Sequence, residues 1–260
     1  MIPKSDMKSI FERLASFYER RVCPSVFEQH RFENDAKALP YIEQQQVMGM
    51  LATLKGDSEA VISHFQNALS SSLATVHVYY NYLSSLAWIG LHKKRHLVVE
   101  QMLEDYPQSE AARAYALEVA CISLDLERFT EHLLVFHDSP ELLKMYPISK
   151  GPGLNIMFTV KEFVSSGLAS ASVFKRIGDH VLSVAEKHRL SLSDTDIVYY
   201  PEAEKVSITY AVFDTGMVDV FELNWELSEE IIESNTPIDD VIVQFILTEH
   251  NATYLGAELI

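Results

Sequence analysis

The sequence predicts an α+β protein: helical hairpins over residues 1–145, a linker or packed connection over 146–168, and a small acidic α+β domain over 169–260. Three observations carry that expectation. Turn glycines stand 34 residues apart at Gly56 and Gly90, each between two amphipathic stretches, and Pro107 closes the second pair. Near Ile197 the apolar residues change from helical spacing to alternation. The charge is also uneven. Of a net charge of −16, residues 190–260 hold 15 acidic side chains against one basic residue, Lys205.

Taken in order, Ile10, Leu14, Phe17 and Tyr18 recur at helical spacing, and Arg20 and Arg21 follow where cations suit a helix C-terminus. Pro24 interrupts, and a second helix over 25–39 ends at Pro40. No turn residue falls where a 34-residue register would place one, so this pair reads as a cap on the array. Three hairpins are expected over 42–143. In the first, Gly49 and Ala68 are small where two helices approach, and Phe65 fills the space between them. The second puts Leu83 and Met102 at those sites, and the third puts Leu117 and Phe136 there, with residues 124–129 replacing the turn.

With a glycine between two helices, a proline after the second and a 34-residue step, this region resembles the tetratricopeptide repeat. The resemblance implies hairpins stacked side by side, a groove lined by the first helix of each pair, and the work of holding another protein. Carried onto this chain, the register aims Gln46, Met50, His77, Tyr80, Asn81, Ser84, Tyr115 and Glu118 into that groove. Rings and amides of this kind suit an extended or helical peptide. Members that grip a C-terminal carboxylate use a Lys/Arg clamp with Asn; Asn81 matches one place, but the basic partners are missing.

The cluster of Pro140, Pro147, Gly151, Pro152 and Gly153 marks a boundary. Residues 154–164 are apolar and of either type, and a helix follows over 172–189. Three antiparallel strands are expected as a meander over 197–200, 206–213 and 217–223, then a short helix over 225–233. Thr236-Pro237 reads as the start of a last helix, with the stripe Ile238, Val241, Ile242, Phe245 and Ile246. Glu226, Glu229, Glu230, Glu233, Asp239 and Asp240 form an acidic face that repels nucleic acid and attracts a basic protein.

Candidate chemistry is sparse. Val212-Phe213-Asp214-Thr215-Gly216 resembles the active-site turn of aspartic peptidases, which implies a proton shared between two such aspartates and hence a dimer. Met217 replaces the usual small residue, and Asp-Thr-Gly is also hairpin-turn chemistry. His92-Lys93-Lys94-Arg95-His96 is the one basic cluster, read as an exposed loop between helices; its two histidines stand at a metal-binding spacing without a third ligand nearby. Cys23 and Cys121 form no metal or redox motif, and no apolar run reaches the roughly 20 residues of a membrane helix. A cytoplasmic, non-enzymatic interaction module is therefore expected, of adaptor, chaperone, antitoxin or immunity type. It would hold a partner peptide or helix in the groove, a basic partner on the acidic face, or both, with no catalytic residue, cofactor, metal, nucleic acid or membrane. Two alternatives stay open: an enzyme with its site in the α+β domain, and a structural homo-oligomer.

Overall fold

The computed structural model describes residues 4–136, 153–213, 218–238 and 240–248. The chain divides into two compact units, the first ending at Leu91 and the second beginning at His92. The first holds helices α1 (Lys4–Arg20), α2 (Val26–Ala36), α3 (Tyr41–Lys55), α4 (Ser58–Leu69) and α5 (Val76–Trp88). Local chemistry sets their ends. Ser25 and Glu28 form a reciprocal capping box at the start of α2. Gly56, at φ 73°, closes α3 in the left-handed conformation, and the Asp57 carboxylate then accepts from the Ala60 amide to open α4.

The expected close approach of α3 and α4 is present. A methyl group on Gly49 would fall 2.7 Å from the Phe65 ring, so only glycine lets the ring sit there. Phe65 is fully buried and stacks on Tyr82 of α5, with ring centroids 4.9 Å apart. Burial of such a ring stabilises by about 2–3 kcal/mol. The pair α1 and α2 packs on α3 in the same pattern as α3 and α4 pack on α5. Phe17 meets Phe32 edge-on, and Arg13 bridges to Asp35 at 2.6 Å.

The second unit holds α6 (His92–Asp105), α7 (Glu110–Ile122), α8 (Leu126–Leu134), α9 (Gly153–Ser165), α10 (Ala171–Lys187) and α11 (Val220–Glu233), with strands β1 (Leu192–Tyr200), β2 (Lys205–Phe213) and β3 (Val241–Thr248). One core runs from Leu117 and Phe129 through Met157, Phe163 and Phe174 to Val206, Tyr210 and Phe245. It crosses the region expected to be a connection, because α9 packs on α7 and β1. Two backbones also come unusually close: a Cβ on Gly178 of α10 would stand 2.0 Å from the Ser123 carbonyl oxygen, just after α7. Tyr210 of β2 donates its hydroxyl to the Ile122 carbonyl at 3.0 Å.

The sheet corrects two expectations. β1 and β2 pair antiparallel as predicted, but β3 is parallel to β2, so the sheet is mixed and not an antiparallel meander. The segment read as a third strand instead enters α11. Asp219 caps that helix by accepting from the amides of Phe221 and Glu222, and α11 forms the crossover that a parallel pair requires. The segment read as the last helix is β3. Its inward residues Val241 and Phe245 are four apart, a spacing shared by both periodicities, while exposed Ile242, Gln244 and Ile246 obey only the strand's alternation. Asn224 of α11 pairs with β3 through its amide: Nδ2 donates to the Phe245 carbonyl at 3.0 Å, and Oδ1 accepts from the Phe245 amide at 2.7 Å.

Candidate functional site

Of the predicted groove residues, Gln46, Met50, His77, Tyr80, Asn81 and Ser84 belong to the first unit, and Tyr115 and Glu118 to the second. Met50 is 1% exposed and so offers nothing to a ligand. Its carbonyl accepts from the Tyr18 hydroxyl at 3.0 Å; that hydroxyl also lies 3.4 Å from Ser85 Oγ, and the ring packs on Trp88. Burial raises the Tyr18 hydroxyl above its ordinary range. Asn81 donates to Gln46 at 2.8 Å, and both are buried, so the two amides satisfy each other. Ser84 is half-buried. The exposed part of this wall is on α5, where His77 and half-buried Tyr80 meet edge-on at 5.4 Å.

Tyr115 is buried. Glu118 forms an ion pair with Arg95 at 2.8 Å, and their side chains are 18% and 4% exposed. Removing one partner of so enclosed a pair leaves an uncompensated charge, so Glu118 has a structural task. Burial pushes the neighbouring Cys121 thiol upward, and the Glu118 charge adds to it.

The basic cluster is not a loop. It forms the first turn and a half of α6, with His92 and Arg95 buried. His92 Nε2 donates to the Leu190 carbonyl at 2.8 Å, and the Lys93 amide donates to Glu186 at 2.8 Å, so α10 and its following turn hold this end of α6. Burial pushes His92 down to about 4, against the raising effect of the Leu190 hydrogen bond. Arg128 engages both His96 and Glu100. Among the described residues, no three His, Cys, Asp or Glu gather to hold a metal, and no helix is long and apolar enough to cross a membrane.

The acidic residues of α11 divide into two sets. Glu226 accepts from Lys187 at 2.6 Å and from His188 at 2.7 Å, both at the end of α10. Burial raises its carboxyl, and the hydrogen bonds from Lys187 and His188 more than offset this, leaving it below the usual range. Glu230 lies 3.4 Å from His180 Nδ1. Glu222, Glu229 and Glu233 are exposed, Asp240 is half-buried, and Asp239 lies outside the described residues. Beside the exposed carboxylates stand Phe221, Trp225 and Ile232, which are 73%, 61% and 71% exposed. The Trp225 indole donates to Glu229 at 2.8 Å, which fixes the ring against the helix surface.

No family model, curated protein or solved structure matches this chain. Its function is therefore read from its own geometry.

One further cluster has the order of an acyl-transfer relay. Glu230 faces His180 Nδ1, His180 Nε2 lies 3.5 Å from the Thr236 hydroxyl, and that hydroxyl is 2.7 Å from Ser234 Oγ. Thr236 is buried, and Ser234 donates to the Ile231 carbonyl at 2.9 Å, so both hydroxyls are spent on the C-terminal end of α11. The set joins α10 to α11. The Asp-Thr-Gly turn, residues 214–216, lies outside the described residues. Sequence reasoning missed Tyr18, Phe221, Trp225 and Ile232. The last three recur at helical spacing opposite Leu223, Leu227 and Ile231, a double-faced pattern that was open to view.

Proposed function

We propose that this protein is a non-enzymatic protein-protein interaction module of the helical-repeat type, holding a peptide or helix of a partner protein against its first-helix surface. The observation that carries this reading is the repeated pairing in the first unit, where α1 and α2 meet α3 as α3 and α4 meet α5. Successive helices that each pack on the next in this way build an extended surface, which suits protein recognition. On that surface the His77 and Tyr80 rings of α5 supply rigid contact area. The test is capture from the native cell on the immobilised full-length chain, with mass spectrometry, using the native protein and a His77→Ala/Tyr80→Ala variant. A partner bound by the native chain and lost by the variant supports the reading. Identical captured sets from the two proteins reject it.

A second reading, self-association, is favoured by the outer face of the sheet. Val198 and Ile242 lie on one row across Ser207, and Tyr200 and Ile246 are also exposed. Light scattering on the native chain decides it: a dimer dissolved by Ile242→Lys supports self-association, and a native monomer excludes it.

A further inference from the structure

We infer that the outer face of α11 docks a basic amphipathic helix of a partner protein. The face has the composition of a binding core and not of a solvated surface. Phe221, Trp225 and Ile232 are spaced by four and seven residues, which places them on one side of the helix along about 16 Å. Three large apolar side chains are left outward while Leu223, Leu227 and Ile231 of the same helix enter the core. Trp225 is held by its bond to Glu229, so little side-chain freedom remains to be lost on contact.

The flank of this stripe selects the occupant. By helical rotation Glu222, Glu229 and Glu233 share one side of it, and α11 contains no Lys or Arg. A helix with apolar residues at i, i+4 and i+7 and lysines or arginines beside them would cover the stripe and meet the carboxylates. An anionic membrane would be repelled by the same carboxylates. A second copy would bring no cation on its own α11. Glu226 and Glu230 take no part, because Lys187, His188 and His180 of this chain already face them. This inference shares with the proposed function only the kind of work performed. It concerns the other unit, and its failure leaves the His77/Tyr80 experiment untouched.

The experiment uses the full-length chain and a fluorescein-labelled 18-residue helix of leucines and lysines in amphipathic order, followed by anisotropy. Trp225→Ala should weaken binding by about 30-fold, as loss of a central aromatic anchor does. The triple variant Glu222→Lys/Glu229→Lys/Glu233→Lys should abolish it, and raising the salt should weaken it by about tenfold. Reversal of the exposed Glu202 and Glu204, outside the face, should leave affinity within about twofold. Circular dichroism would show that these surface variants keep the fold. The inference is overturned if Trp225→Ala binds as tightly as the native chain, or if a peptide with glutamates in place of lysines binds equally well. It is also overturned if the Glu202/Glu204 reversal weakens binding as much as the triple variant does. Competition by phosphatidylglycerol vesicles, or a dimer that Trp225→Ala dissolves, would assign the face to another occupant and likewise overturn it.

Discussion

Replacing Gly178 by alanine tests the tightest contact in the second unit. The added carbon would stand 2.0 Å from the Ser123 carbonyl oxygen, 2.4 Å from its carbonyl carbon and 2.9 Å from its Cα. A carbon and a carbonyl oxygen rest at about 3.3 Å or more, so α10 must retreat by roughly 1 Å, since the obstacle is backbone and cannot rotate away. A gap of that size forfeits a quarter to a half of each dispersion contact across it. Phe174, Ile177 and Val181 are fully buried on the same helix. Each contributes about 2 kcal/mol through burial, so losing a third of the contacts costs about 2 kcal/mol, and residual strain adds about 1 kcal/mol. Alanine returns about 1 kcal/mol through helix propensity, leaving a net loss of about 2 kcal/mol. Hydrogen exchange read by mass spectrometry on peptides from α10 should accelerate by about 30-fold. Gly56→Ala is the control: open space surrounds that position, and only its φ of 73° opposes a side chain, at about 1 kcal/mol. If α10 exchanges at the native rate in Gly178→Ala and the urea midpoint is unchanged, the helix does not lie against Ser123 as described.

Two further outcomes follow from buried polar groups. Among the described residues the Tyr82 hydroxyl is buried without a hydrogen-bond partner, and burial raises it to about 12. Tyr82→Phe keeps the stack on Phe65 and should leave stability unchanged or raise it by up to about 1 kcal/mol in thermal unfolding; a clear loss would reveal a partner for that oxygen. His92 stays neutral in the folded chain down to about 4, whereas the unfolded chain binds its proton near 6.5. Its contribution is therefore fully present above about 6.5 and is lost as the pH falls from there towards 4, by at most about 3 kcal/mol. His92→Gln retains an N–H donor for the Leu190 carbonyl without titrating, so its urea midpoint should fall less between pH 7.5 and 4.5 than that of the native chain. Equal falls would refute the assignment.

The first hairpin was legible because its determinants are local. Gly56 and Asp57 stop one helix and start the next, and Gly49 and Phe65 must meet when those helices fold back. α10, β2 and residues 197–200 of β1 were legible from periodicity, whereas the start of β1, where the register shifts between Leu192 and Asp194, was not. β3 was not, because Val241, Ile242, Phe245 and Ile246 satisfy a helix as well as a strand, and the choice is made by pairing with β2, about 35 residues away. The start of α11 was misread because Val218 and Val220 alternate; the decisive signal was Asp219 as a cap. His92 was beyond reach, since its hydrogen-bond partner lies 98 residues downstream. Among the candidate site residues, the repeat register aims Gln46 and Asn81 into one groove, and in the structure they bond to each other. It could not foresee that this bond would bury them, nor that Lys187 and His188 would hydrogen-bond to Glu226.

The double hydrogen bond from Asn224 has a bearing on how this protein behaves in crowded solution. Among the described residues β3 is an edge of the sheet, and an edge strand rich in valine and isoleucine invites a neighbouring molecule to extend the ladder. At Phe245 that invitation is withdrawn, because an amide side chain already imitates the next strand. An intruder would first have to evict it, so one asparagine obstructs pairing along this edge of the sheet.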